Sequence, residues 1–154
     1  MLEQGEIVYR KNLRFADDGK LDLKIGGHPT LNITDGSTGE IYFLLITSSR
    51  IPEKARSKRY YKLSKNKEAG LNRNSWVDLS YVFKEEAQNK IPAGEISEKV
   101  FNEIMLNFLI NLQDDDIEYT KDQLKTIDEF LKLQDYNKMA KAIRKELGNK
   151  NQPK

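Results

Sequence analysis

The 154-residue sequence contains no cysteine, which excludes disulfides, thiolate zinc sites and a cysteine nucleophile. It contains one histidine, His28, so no pair of imidazoles from this chain can build a metal site. Apolar residues make up 38% of it, yet no run of them approaches the length that crosses a bilayer. The opening segment, MLEQGEIVYR, lacks the basic start and apolar stretch of a secretory signal. Neither charge dominates: 26 basic against 24 acidic groups leave a net of +2, which alone points to no partner. The expectation is a soluble cytoplasmic protein, off the membrane, with one core and neither cofactor nor metal. Any chemistry falls to hydroxyls, ammonium and guanidinium groups, carboxylates and one imidazole.

The small total hides an uneven distribution. Residues 1–49 carry five basic and seven acidic groups, whereas residues 50–73 carry nine basic groups against Glu53 and Glu68, a net of +7. Residues 74–113 come to −3, and residues 114–154 balance at nine against nine. A basic block with Tyr60 and Tyr61 inside it is the electrostatic footprint expected for phosphate backbones. The plainer alternative is a solvated loop whose lysines keep it soluble.

The front two-thirds reads as β-structure. GEIVY at 5–9 is a short strand opened by glycine. HPTLNIT at 28–34 alternates, with Leu31 and Ile33 on one face, between a Gly-Gly turn and Asp35-Gly36. EIYFLLIT at 40–47 is a near-continuous apolar run and predicts the central strand, covered on both faces. The intervening TDGSTG reads as a hairpin loop. Residues 60–63 and 75–82 complete about five strands, with no room for helices between them. They are therefore expected to pair antiparallel in a small, strongly curved sheet or half-barrel. After Pro92-Ala93-Gly94 the period changes. Val100, Phe101, Ile104, Met105, Phe108, Leu109 and Leu112 recur at helical spacing behind Ser97 as N-cap, predicting a helix that closes the sheet. Asp114-Asp115-Asp116 breaks it. Thr120 with Gln123 is a capping-box signature opening a second helix, with Leu124, Ile127, Phe130 and Leu131 as its apolar face. A third is expected over 136–147, before Gly148 and a polar tail. The fold class is α+β: a barrel with its closing helix over 1–113, and a helical hairpin over 114–154 packed on the same domain.

Chemistry is expected at the strand ends. Thr47, Ser48, Ser49 and Arg50 follow on the central strand and offer hydroxyl and backbone donors beside a guanidinium, a set suited to phosphate. His28 opens the neighbouring strand, so adjacent strands can bring it and Thr47 to one end of the sheet, where an imidazole exchanges protons near neutral pH. Lys20 and Lys24 on the preceding loop, and Lys54, Arg56, Lys58, Arg59, Lys62 and Lys65 in the basic block, are the candidate RNA contacts. Trp76, the only tryptophan, suits core or barrel rim better than a base-stacking platform, and is kept among those contacts. Asp78 and Ser80 share its face by alternation. No phosphate-binding glycine loop, nucleophile elbow or magnesium carboxylate cluster is present in the sequence, which points to a metal-free reaction.

The order GEIVY, HPTLNI, YFLLITSS, a basic β-segment, NRNSWVDLSYV and an amphipathic helix, over residues 5–112, resembles the PemK/MazF-like toxins of bacterial toxin–antitoxin systems. The resemblance implies an SH3-like barrel acting as a metal-independent endoribonuclease on single-stranded RNA and held inactive by an antitoxin. Where that family has Arg-Pro opening the second strand, this chain has His28-Pro29; the family threonine ending the third strand matches Thr47. Thr47-Ser48-Ser49-Arg50 is similar to the pattern of the ToxN-like (type III) branch, which is neutralised by a repetitive, structured RNA and carries extra helices, as 115–147 would be here. The alternatives are a MazF-like enzyme with a protein antitoxin (type II), a non-catalytic RNA-binding barrel, and a scaffold whose C-terminal hairpin is the interaction surface.

Overall fold

The computed structural model describes residues 3–10, 13–14, 21–22, 27–34, 40–47, 58–63, 70–71, 74–86, 91–114 and 116–133. Its strands are β1 (Glu6–Arg10), β2 (Leu13–Arg14), β3 (Leu21–Asp22), β4 (His28–Asn32), β5 (Glu40–Thr47), β6 (Tyr60–Leu63), β7 (Ser75–Glu86) and β8 (Gly94–Glu95). Two helices follow, α1 (Glu98–Leu112) and α2 (Lys121–Leu133). Six strands form one curled antiparallel sheet in the order β6-β7-β5-β4-β1-β8, while β2 and β3 pair separately as a two-stranded ribbon. The architecture is α+β, a half-barrel with helices on one face. The TDGSTG loop and the helix expected over 136–147 lie outside the described residues.

The apolar run of β5 makes it a central strand, because its two faces bury different sets of side chains. Tyr42, Leu44 and Ile46 join Ile7, Leu31, Val77, Leu79 and Val82 beneath the helices, against Ile104, Met105 and Phe108 of α1 and Ile127 and Phe130 of α2. Phe130 meets Tyr42 at 5.6 Å and Phe108 at 6.2 Å between ring centroids. On the opposite face Ile41 and Phe43 join Val8, Tyr81 and Phe83 in a second, smaller cluster, with Phe43 and Phe83 stacked at 5.3 Å.

β7 is longer than the sequence pattern suggests, running on through the polar Lys84 and Glu85 to Glu86 because residues 40–44 of β5 pair with its residues 82–86. Between Leu44↔Val82 and Ile46↔Val77 the strand β5 advances two residues while β7 advances five. Asp78 shapes this bulge: its Oδ1 accepts from the Ser80 amide at 2.9 Å and the Ser80 hydroxyl at 2.7 Å. Such local side-chain bonds compete with the regular ladder and bend the strand. β6 pairs with β7 only as far as Tyr60↔Asp78. Beyond it, after one more backbone bond from the Leu79 amide to the Arg59 carbonyl at 2.8 Å, the edge of β7 is met by a side chain: Gln123 of α2 accepts from the Val82 amide at 2.7 Å and donates to the Val82 carbonyl at 3.3 Å. One amide thus takes the part of a neighbouring strand and covers an otherwise open sheet edge.

That contact corrects two expectations. Thr120 does cap α2, accepting from the Gln123 amide at 3.2 Å, but the Gln123 side chain serves β7 instead of closing the box. Leu124, expected on the apolar face, is 50% exposed, and the buried stripe is Gln123, Ile127 and Phe130. Ser97 caps α1 as the sequence predicts, accepting from Val100. The sheet has six strands where about five were expected. The addition, β8, pairs with β1 through Glu6↔Glu95 and Ile7↔Gly94. Near it Gly70, at φ +73°, lies so close to Ala93 that a Cβ would meet the Ala93 carbonyl oxygen at 2.8 Å. The Tyr9 hydroxyl donates to the Gly70 carbonyl, fastening this segment to β1.

Candidate functional site

Strand register decides which side chains share a position. Gly27, at φ +80°, turns the chain into β4 with a backbone conformation that only glycine adopts at no cost. His28, the first residue of β4, pairs with Arg10, the last of β1. On the other side β4 pairs with β5 through Leu31↔Leu44 and Thr30↔Leu45; that register, carried two residues to the strand ends, sets His28 against Thr47. Thr47 pairs with Trp76 of β7, and Trp76 with Lys62 of β6. Arg10 and His28 are thus paired across β1 and β4, and Thr47, Trp76 and Lys62 across β5, β7 and β6; continuing the β4–β5 register joins the two sets in one row. Residues opposite one another in a sheet project to the same face, with Cβ atoms about 5 Å apart. This face is the one opposite the helices, since it carries Val8, Phe43 and Phe83.

His28, Thr47 and Trp76 are half-buried and Lys62 is exposed. One strand position further in, Tyr60 pairs with Asp78. Arg59 reaches the Asp78 carboxylate at 3.3 and 3.4 Å and lies 5.2 Å from the centre of the Tyr60 ring. Burial, and then the Asp78 charge, push the Tyr60 hydroxyl above its ordinary pKa, so it is a neutral donor at physiological pH. Lys58 is held at the C-terminal end of α1, its ammonium 2.9 Å from Asp114 and its carbonyl accepting from Asn111. Of the sequence-derived candidates, the structure pairs Thr47, Trp76 and Lys62 across three strands, pairs His28 with Arg10, sets Arg59 beside Tyr60, and ties Lys58 to Asp114. Ser48, Arg50, Lys20, Lys24, Lys54, Arg56 and Lys65 lie outside the described residues.

Sequence reasoning missed Arg10. It is only 2% exposed, although arginine is almost never buried unless it is paired. Its Nε–H donates to Thr30 Oγ1 at 2.9 Å, and that hydroxyl donates to the Val8 carbonyl at 2.7 Å. Its Nη1 pairs with the Glu85 carboxylate, and its guanidinium carbon lies 4.2 Å over the Phe43 ring. Burial lowers its pKa to about 10, which leaves it charged at neutral pH. The available signal was its alternation with Val8, which assigns both to one face of β1.

Chemically, the row offers an imidazole for proton transfer, a hydroxyl for a phosphate oxygen, an indole for a base and an ammonium for a neighbouring phosphate. Two carboxylates of β7, Asp78 and Glu85, are each engaged by an arginine.

No protein-family model matches the sequence, and no curated protein matches it. Solved structures do match. One is an endoribonuclease in complex with its cognate antitoxin, from a mycobacterial species, similar over 73% of this chain and 96% of that one with a TM-score of 0.52 at 13% identity. The curled six-stranded antiparallel sheet with its packed helices is thus a fold this chain shares with a known endoribonuclease.

Proposed function

We propose that the protein is the toxin of a toxin–antitoxin pair, an SH3-like PemK/MazF-type endoribonuclease that cuts single-stranded RNA without a metal ion. The observation that carries this reading is the pairing of Thr47, Trp76 and Lys62 on the helix-free face, with His28 opening the strand next to β5. The shared fold of an endoribonuclease solved with its antitoxin supports it.

In this reaction the 2′-oxygen attacks the adjacent phosphorus as the P–O5′ bond breaks. One proton leaves the 2′-hydroxyl and one arrives at the 5′-oxygen, giving a 2′,3′-cyclic phosphate and a 5′-hydroxyl. His28 is the imidazole able to carry either proton at neutral pH. Thr47 and Ser48 hold the non-bridging oxygens, and Arg50 offsets the charge that grows on them, where preorganised donors contribute most. Trp76 stacks a flanking base and Lys62 meets the next phosphate. The basic segment 50–73 supports a structured RNA antitoxin of the type III kind. A short reading frame beside the gene, in place of a tandem-repeat array, would assign a protein antitoxin instead.

The test is incubation of the purified protein with a defined RNA oligonucleotide in chelator, with product termini read by mass spectrometry. Fragments ending in 2′,3′-cyclic phosphate are expected. Tight, salt-sensitive binding with no product after long incubation would make the protein an RNA-binding module.

A further inference from the structure

Arg10 ends a strand on the face of the proposed site, yet it is buried, and its contacts span the sheet. In a flat sheet Arg10 and Phe43 would stand two strands and four residues apart, about 16 Å between Cα atoms. Their contact, with the guanidinium 4.2 Å from the ring centre, requires the sheet to bend toward this face along that diagonal, as strand twist allows. From there Nη1 continues to Glu85 on β7, so one side chain links β1, β4, β5 and β7.

We propose that Arg10 is a positioning residue for His28 and Thr47, an inference that rests on the functional reading above. Two observations separate it from an ordinary structural ion pair. First, Arg10 stands directly across the ladder from His28 and bonds Thr30, the next residue of β4 on the same face. Second, both its amino groups are buried without a hydrogen bond, Nη1 meeting Glu85 as an ion pair and Nη2 meeting no acceptor. An unmatched buried donor is costly, and apolar residues of similar volume fill such a position at least as stably. The arginine contributes a fixed geometry that an apolar pair would not: it sets the angle of β4 over β5 and hence the separation of imidazole and hydroxyl.

The double variant Arg10→Met/Glu85→Met keeps the volume and removes both charges. His28 is the only histidine, so its ring signals are unambiguous, and the nuclear Overhauser contact between that ring and the Thr47 methyl reports the separation directly. The expected result is a melting temperature close to wild type, a weakened His28–Thr47 contact, and kcat lowered by on the order of a hundredfold with KM within about threefold, as misplacement of reacting groups produces. Thr30→Val, which removes the acceptor for Arg10 Nε and with it the donor to the Val8 carbonyl, is expected to move the same contact in the same direction and serves if the double variant does not fold. A wild-type contact and wild-type kcat in the double variant overturn the proposal. If the wild-type protein cuts no RNA, the functional reading fails, and the His28–Thr47 contact alone still decides the positioning role.

Discussion

Gln123→Met tests whether α2 is held to the sheet by its amide or only by its apolar side chains. Methionine matches glutamine in length and fills the same space without hydrogen bonds. The wild-type amide serves the Val82 N–H at 2.7 Å and the Val82 carbonyl at 3.3 Å, and Val82 and Gln123 are 1% and 3% exposed. Water cannot replace those bonds without opening the contact. An unmatched buried polar group costs about 1–3 kcal/mol, the carbonyl bond lying toward the lower end because it is the longer. The two together predict a loss of about 2–4 kcal/mol. For a chain of this length that is a fall of roughly 5–15 °C in melting temperature. Urea denaturation followed by circular dichroism gives the free energy directly. Gln123→Glu supplies the control. At neutral pH it keeps the acceptor, loses the donor and buries a charge, so it destabilises further. In mild acid its protonated carboxyl again offers one donor and one acceptor, so the gap to wild type narrows. A methionine variant within about 0.5 kcal/mol of wild type would refute the reasoning, since both unmatched groups would then have cost almost nothing.

Other consequences are as direct. Trp76 is the only tryptophan, so its fluorescence reports RNA at the row without a label; quenching on titration is expected, and Trp76→Ala should weaken binding by about 1–3 kcal/mol if a base stacks there. Lys62→Ala should lower the slope of log affinity against log salt by about 0.7, the contribution of one contact to a single-stranded phosphate; an unchanged slope would remove Lys62 from the RNA path. In acid the Lys84–Glu129 pair should matter. The hydrogen bond from Lys84 holds the Glu129 carboxyl below its ordinary value of 4.5, so its stabilisation is present above that value and lost as pH falls through the lowered one. Lys84→Met should therefore flatten the acid limb of the stability–pH curve, and an identical limb would contradict the assignment.

Much of the sheet was legible because apolar pattern and strand coincide. The near-continuous apolar run at 40–47 has strand length and reads as a strand covered on both faces, and the structure buries its two faces in different clusters. The neighbouring places of β4 and β5 were legible too, since two short strands joined by a turn-rich segment pair antiparallel. What escaped was set by tertiary contact. Gln123 has the spacing of a capping residue, and nothing local announces that a strand edge needs its amide. Leu124 fits the apolar period of α2, but the rotation that seats Gln123, Ile127 and Phe130 turns it outward. β8 is two residues long and has no period to read. Arg10 reads as a charged strand end and becomes buried only because the sheet bends.

The central claim is that His28 and Thr47 flank the scissile phosphodiester. It is tested most directly by single-turnover cleavage of one RNA oligonucleotide by wild type, His28→Ala and Thr47→Ala, each shown to be folded. The account predicts that His28→Ala and Thr47→Ala each slow cleavage on the order of a hundredfold or more. Wild-type rates in both variants would contradict it.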